Sequence, residues 1–507
     1  MPDQPLTATP TRRVRPERVG LAVLAVLALG TLCLRAASAL PQPSAAPPVA
    51  ATKPPVLARK PQTQPPQPLT MTHTPGSALS LGVTLDRGAV TRGGDGLVRM
   101  EVAIKADDNA AGTQVDSDFV VVLDRSGSMF GERLAQAQSS VIALLESLSP
   151  RDRFGLVSYD DTAQVLVPLS AADDAARLRW RKLVSEIAVG GSTNMSDGLD
   201  RGLALLQGAR QSGRAGRLIL LSDGHANTGD ATPEGLRARG RRAAQHELVV
   251  STVGIGNGFN EYLMTQIADA GTGNYHYLSD SSQLAAILDR ELSSTRSTVA
   301  SGVGVRIAHA GGVQVIDAAG YPLTSDASGT SFQVGSLFAG QERRVWVSLR
   351  VPAEREAELS LGKVELAYTE AGQRKHTETD RALAVRCVND DDAALASIDK
   401  GAWERAVAQE EWGRVREQVA RAVHEGKREA AIQSLNTYRT QYSTLNAKLG
   451  SAAVDGSLNE SKTLEQQVLD AFRGADQAGK QNVFSKEQQA KGRKFRRIGS
   501  EKLSAGF

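Results

Sequence analysis

Cysteine is nearly missing from this chain of 507 residues: there are two, Cys33 and Cys387. That excludes a disulfide framework and a cysteine-based zinc site. Aromatic residues make up only 4%, too few for the stacking platforms on which single-stranded nucleic acids are bound. An excess of one charge is lacking too, because the formal net charge is +3. Five arginines (Arg12, Arg13, Arg15, Arg18 and Arg35) against Asp3 and Glu17 account for that excess within the first 39 residues. The rest is balanced, which excludes a globally basic nucleic-acid binder, and no nucleic-acid partner is expected. The long apolar run, Val19 to Leu34, has 16 residues, short of the ~20 that cross a bilayer comfortably.

What is present divides the chain into segments. Arginines, a short apolar run and Ala37-Ser38-Ala39 read as a secretory signal peptide over 1–39, with an uncleaved membrane anchor as the alternative. Either way the body lies outside the cytoplasm. Residues 40–76 form a proline-rich linker, with 10 of the 20 prolines between 41 and 70. Two alternating stretches, Leu79/Leu81/Val83/Leu85 and Val98/Met100/Val102/Ile104, predict half-buried strands within 77–115.

Over 116–295 apolar strands alternate with amphipathic helices. The strands are Phe119–Leu123, Phe154–Tyr159, Ala163–Leu169, Leu218–Leu221, Leu248–Val253 and Tyr275–Leu278. One helical stretch centres on Leu178, Leu183 and Ile187, and a last one runs from Leu284 to Leu292. This is the pattern of an α/β doubly wound, mostly parallel sheet covered on both faces. Period-two stretches return over 296–389, predicting an antiparallel β-sandwich. Two early strands cannot stand alone, so they are assigned to this sandwich, with the α/β unit inserted between its strands. Residues 390–450 predict an α-helical hairpin, and 451–507 a polar, basic, partly disordered tail with one weak helix near Leu464–Phe472. Trp346, Trp403 and Trp412 fit core positions.

The chemistry sits at strand ends. Phe119-Val-Val-Val-Leu-Asp124-Arg-Ser126-Gly-Ser128 is a buried strand followed by oxygen-bearing side chains at alternate positions. Gly190-Gly-Ser-Thr193-Asn194 presents another hydroxyl, and Leu221-Ser222-Asp223 is a second strand ending in a carboxylate. In open α/β sheets ligands bind beyond the carboxyl ends of the strands. Five hard oxygen donors, two of them carboxylates, suit Mg²⁺ better than zinc, with Mn²⁺ or Ca²⁺ as alternatives.

These residues resemble the von Willebrand factor type A domain and its metal-ion-dependent adhesion site, D-x-S-x-S followed by a loop threonine and a strand-end aspartate. The resemblance covers about 116–295 and implies metal ligation by Asp124, Ser126, Ser128, Thr193 and Asp223. It further implies capture of an Asp or Glu carboxylate from a protein partner. Leu148-Ser-Pro-Arg-Asp152-Arg-Phe154, Gly190-Gly-Ser-Thr-Asn194 and Ser222-Asp-Gly224 are similar to bacterial secreted proteins related to inter-alpha-trypsin-inhibitor heavy chains and calcium-activated chloride-channel regulators. The expectation is therefore an exported adhesion or scaffold protein. A structural envelope protein with incidental metal and a metal-dependent hydrolase are the rivals. No catalytic residues are expected: His424-Glu425 lacks a second histidine, and Ser126 has no triad partners by sequence. Gly254-Ile-Gly256-Asn-Gly258-Phe259 departs from a nucleotide fingerprint at Phe259. His225 and His276 read as solvated loop histidines.

Overall fold

The computed structural model describes residues 71–497 except 74–76, 108–114, 210, 212, 224–225, 256–259, 279–282 and 310–311. The leader, the linker up to residue 70, His225, Gly256 to Phe259 and the last ten residues of the tail lie outside the described residues.

The chain opens with β1 (Met71–His73), β2 (Leu79–Leu85), β3 (Ala89–Thr91) and β4 (Leu97–Ala106). It then enters the α/β unit. There β5 (Ser117–Asp124), β6 (Arg153–Tyr159) and β7 (Ala163–Ala171) are followed by β8 (Ala215–Ser222), β9 (Val249–Ile255) and β10 (Thr272–Leu278). The helices between and after them are α1 (Glu132–Ser147), α2 (Asp174–Ser185), α3 (Met195–Gly208), α4 (Pro233–Gln245), α5 (Glu261–Ala270) and α6 (Leu284–Arg296). The sheet order is β10-β9-β8-β5-β6-β7, parallel except for β7. Because β5 is buried on both faces, it reads as a continuous apolar run. Phe119, Val121 and Leu123 pack with α1, α2 and α6 on one side. Val120 and Val122 pack with α3, α4 and α5 on the other. Chain order runs outward from β5 in both directions, so the topological switch lies between β5 and β8. The predicted helix at Leu178 is α2, yet it buries Ala176, Trp180 and Val184 and leaves Leu178 and Leu183 exposed. Trp180 against Phe154, 5.5 Å between ring centroids, sets that face.

The strands that follow are β11 (Thr298–Ile307), β12 (Gln314–Ala318), β13 (Thr324–Asp326), β14 (Gly329–Phe338) and β15 (Glu342–Arg350). After them come β16 (Ala357–Gly362), β17 (Val364–Glu370), β18 (Gln373–Glu378) and β19 (Leu383–Val388). One sheet has the order β1-β2-β4-β15-β12 and a second β13-β14-β11-β17-β18; β16-β19-β3 form a small third sheet. Val102 of β4 pairs with Val345 of β15, so the α/β unit is an insertion between strands of one antiparallel sheet. Leu79, Leu81, Met100, Val102, Val305, Phe332, Val347, Leu366 and Val385 share the sandwich core. The other face of β4 was expected to meet solvent. Instead Arg99 and Glu101 are buried there, paired with Asp86 and Glu411, and with Arg344 and Arg405.

Helices cover that face: α7 (Asp391–Ala396), α8 (Lys400–Arg405), α9 (Trp412–His424), α10 (Arg428–Leu449), α11 (Ala452–Ala471) and α12 (Gln477–Arg497). The expected hairpin is α9 with α10. The expected partly disordered tail is instead two long helices up to residue 497. The buried stripe of α11 is Val454, Ser457, Ser461, Leu464, Val468 and Ala471, a helical 3–4 spacing in which serines take two apolar places. Along α12 the buried residues are largely polar: Ser485, Lys486, Gln488 and Arg496 beside Phe484. Hydropathy periodicity cannot register such a face. Trp346, Trp403 and Trp412 are buried, as expected. No helix among the described residues is long and apolar enough to cross a membrane.

Candidate functional site

The carboxyl ends of β5 and β8 flank the switch point, and Asp124 and Asp223 stand there. Asp124 closes β5 and is fully buried. The Ser126 amide donates to its Oδ1 at 2.8 Å. The Ser222 hydroxyl (2.6 Å) and the Tyr159 hydroxyl (3.3 Å) donate to its Oδ2. Burial pushes its carboxyl above the ordinary value, the bonds from Ser126 and Ser222 oppose this, and the charge of Asp223 adds to it. Burial also holds Tyr159 well above the ordinary phenol value, so it stays a donor. A buried carboxylate with this surplus of negative charge favours a cation beside it.

Beyond Asp124 a single 3₁₀ turn, Gly127–Met129, lifts the second serine to the surface. Ser126 is buried and Ser128 exposed, their hydroxyls 3.2 Å apart. The Ser128 hydroxyl donates to Asp223 Oδ1 at 2.7 Å. Two oxygens side by side on an octahedral Mg²⁺ lie roughly 3 Å apart, given bonds of about 2.0–2.1 Å. The Ser126–Ser128 and Ser128–Asp223 spacings bracket that value, so the donor set fits a small hard cation. Among the described residues no three His, Cys, Asp or Glu side chains gather as a metal group.

The third loop is tied to the first by backbone. The Gly127 amide donates to the Gly191 carbonyl (2.9 Å) and the Gly190 amide to the Arg125 carbonyl (2.7 Å). Side chains at Gly190 and Gly191 would strike the Asp160 and Asp161 carboxylates, at 1.9 and 2.2 Å. Glycine at both positions lets this loop close over them without displacing either carboxylate. Thr193, buried, follows, its amide donating to Asn227 Oδ1 at 2.8 Å and its carbonyl accepting from the Asn227 amide at 3.1 Å. Asn194 then caps α3 by accepting from the Asp197 amide. The α3 helix reaches β6 and β5 closely through Gly198 and Gly202, where a side chain would meet Tyr159 and Val122, respectively, within 3 Å.

Direct hydrogen bonds thus join Asp124, Ser126, Ser128 and Asp223; Thr193 bonds to Asn227, and its loop meets the first loop through the Gly127–Gly191 and Gly190–Arg125 backbone bonds. Sequence reasoning missed Tyr159, Asn227 and Arg133. Arg133 Nη1 lies 2.8 Å from Asp223 Oδ2 and 3.0 Å from the Ser128 carbonyl. Its position on the first turn of α1, five residues beyond Ser128, was the available signal. His276 is not a solvated loop residue: it lies on β10 with Nε2 2.9 Å from Glu291 Oε1.

Comparison with known proteins agrees with this fold. The family model of the von Willebrand factor type A domain matches residues 118–290. YfbK of Escherichia coli is 31% identical over 212 residues, covering 41% of this chain and 36% of YfbK. Human inter-alpha-trypsin inhibitor heavy chain H4 is 30% identical over 153 residues, 28% of this chain and 16% of that one. The chain therefore spans well under half of either relative. A solved von Willebrand factor type A protein from Catenulispora acidiphila superposes with a TM-score of 0.62 at 16% identity, over 83% of this chain and 98% of that one. The ArnB paralog VWA2 from Sulfolobus acidocaldarius does so at 0.52 and 17%, over 82% and 99%. At such identities the two structures speak for the fold alone. Residues 118–290 are thus a von Willebrand factor type A domain.

Proposed function

We propose that this chain is an exported, metal-dependent protein-binding protein of the adhesion or scaffold kind. Asp124, Ser126, Ser128, Thr193 and Asp223 would hold Mg²⁺, with Mn²⁺ or Ca²⁺ as substitutes. When bound, the ion supplies an electrophilic position for an Asp or Glu carboxylate of a protein partner. The observation that carries this most directly is the run of oxygens Ser126–Ser128–Asp223 at hydrogen-bond spacing on the open end of a buried strand. Tyr159 and Ser222 fix the orientation of Asp124 from below. Arg133 holds Asp223 Oδ2 and leaves Oδ1 facing the serines. Ser128, exposed at the rim, stands where a partner's carboxylate would arrive.

Binding is favoured over catalysis because the serine hydroxyls pair with each other and with Asp223, and among the described residues no histidine stands against them. Export rests on the leader's residue pattern.

Calorimetric titration of Mg²⁺ into the full chain and into Asp124→Ala and Ser128→Ala tests this. One site is expected in the native protein, at least tenfold weaker in Ser128→Ala and absent in Asp124→Ala. Retention on a matrix bearing an aspartate peptide should require Mg²⁺ and be reversed by EDTA. Equal Mg²⁺ binding by all three proteins, or retention indifferent to EDTA, contradicts the proposal.

A further inference from the structure

A second site lies at the other end of the sheet. Asp223 follows β8, whereas Arg217 is the third residue of that strand, six residues and about 20 Å of extended chain away. Arg217 lines a cavity of about 510 Å³ enclosed by three parts of the chain. The A domain contributes β10 and α6, the sandwich contributes Phe338 and Arg343, and α12 contributes Arg493. That volume falls in the range of about 300–1,000 Å³ typical of small-molecule sites.

The charge lining this cavity is unbalanced. Four guanidiniums face it, Arg217, Arg290, Arg343 and Arg493, against two carboxylates, Glu291 and Glu342. Glu291 is spent: Arg217 and Ser251 donate to Oε2, while Asn274 and His276 Nε2 stand at Oε1. This crowding holds its carboxyl well below the ordinary value. Glu342 pairs with Arg344, and Arg493 with Asp269. Among the described residues Arg290 and Arg343 have no carboxylate partner, and the Arg343 guanidinium donates only to the Val334 carbonyl. Arg217 has a side chain only 3% exposed, and its buried Nε lacks a hydrogen-bond partner. A buried guanidinium N–H left unmatched costs free energy that an anionic acceptor would recover. The walls also hold Phe338, Tyr275 and Tyr321, apolar surface that suits a carbon skeleton more than bare ions.

We propose that this cavity binds a small organic dianion, a dicarboxylate or a phosphate monoester, between the guanidiniums of Arg290 and Arg343, which no carboxylate among the described residues neutralises. Such a ligand touches the A domain and the sandwich at once, so binding stabilises their mutual packing. The site is separate from the metal rim and does not depend on it.

The test is thermal unfolding of the full chain in EDTA at constant ionic strength, with succinate and phenyl phosphate as probes. EDTA removes any contribution of the rim. A saturable rise in midpoint is expected with at least one probe, and which of them acts distinguishes carboxylate from phosphate recognition. R290Q, which alters an exposed side chain, should weaken that probe about tenfold, and R290Q/R343Q should abolish its effect. Both variants should retain the ligand-free midpoint to within a few degrees. No rise with either probe, or a rise undiminished in R290Q, overturns the proposal. A failure of Mg²⁺ binding at Asp124 would leave it standing.

Discussion

Arg133 and Gly190 show how single residues govern the rim from outside the ligand motif. The Arg133 guanidinium lies against Asp223 Oδ2 and is partly exposed. A positive charge this near repels an incoming cation by about 1 kcal/mol under partial solvent screening. Arg133→Gln is therefore expected to tighten Mg²⁺ binding about fivefold in a calorimetric titration; unchanged or weaker binding would mean that positioning Asp223 matters more than the charge. At Gly190 a methyl group would overlap the Asp160 carboxylate. Gly190→Ala should push the loop outward, carry Thr193 with it and weaken Mg²⁺ at least tenfold, while the circular dichroism spectrum stays native. The D-x-S-x-S stretch was legible because its spacing is local. Tyr159, Arg133 and Asn227 were not, since contacts such as Tyr159–Asp124 and Arg133–Asp223 join residues 35 and 90 positions apart.

At the scale of elements, Asp152 ties three segments of the A domain together. Its Oδ2 accepts from the Ser149 amide (2.8 Å), the Ser149 hydroxyl (2.7 Å) and Arg296. Its Oδ1 accepts from the Ser117 hydroxyl. One buried carboxylate thus fastens the turn after α1 to the start of β5 and the end of α6. Although burial opposes it, these donors lower its carboxyl to about 2. A depressed pKa stabilises the fold above the ordinary carboxylate value of 3.8, and the contribution is lost as pH falls toward 2. Asp152→Asn is expected to cost about 2–4 kcal/mol by denaturant unfolding at pH 7 and to flatten the acid limb; a loss under 0.5 kcal/mol would contradict this role. The apolar β5 and the 3–4 stripe of α10 were legible from periodicity. Of α11 only the end near Leu464–Phe472 was legible, and α12 escaped, because Ser457, Ser461 and Gln488 occupy buried positions that the residue types alone assign to solvent. The buried charges of β4 escaped for the same reason.

Across its parts the molecule is joined by buried ionised and ionisable groups. Arg496 of α12 meets Glu410, Glu417 and the sandwich residue Asp317. Burial raises Glu410 to about 7, against the pull of Arg496. Glu261 at the start of α5 faces Lys486 and Arg493 of α12 and Tyr275 of β10; burial raises it to about 8. Both carboxyls keep a proton in the folded chain that the unfolded chain loses near 4.5. Their stabilising contribution is complete below that value and disappears as pH rises through 7 to 8. The unfolding midpoint should therefore fall between pH 5 and pH 8, and Glu261→Gln should flatten the fall; a midpoint that climbs over this interval would refute the assignment.

Everything proposed for the metal rim depends on one cation bound there. Crystals of the full chain grown with Mn²⁺, measured for anomalous scattering, test that directly. The expected result is a single strong peak at the A-domain rim within bonding distance of the Ser126 and Ser128 hydroxyls and beside Asp223. No peak there, or equal occupancy in Asp124→Ala crystals, would contradict it.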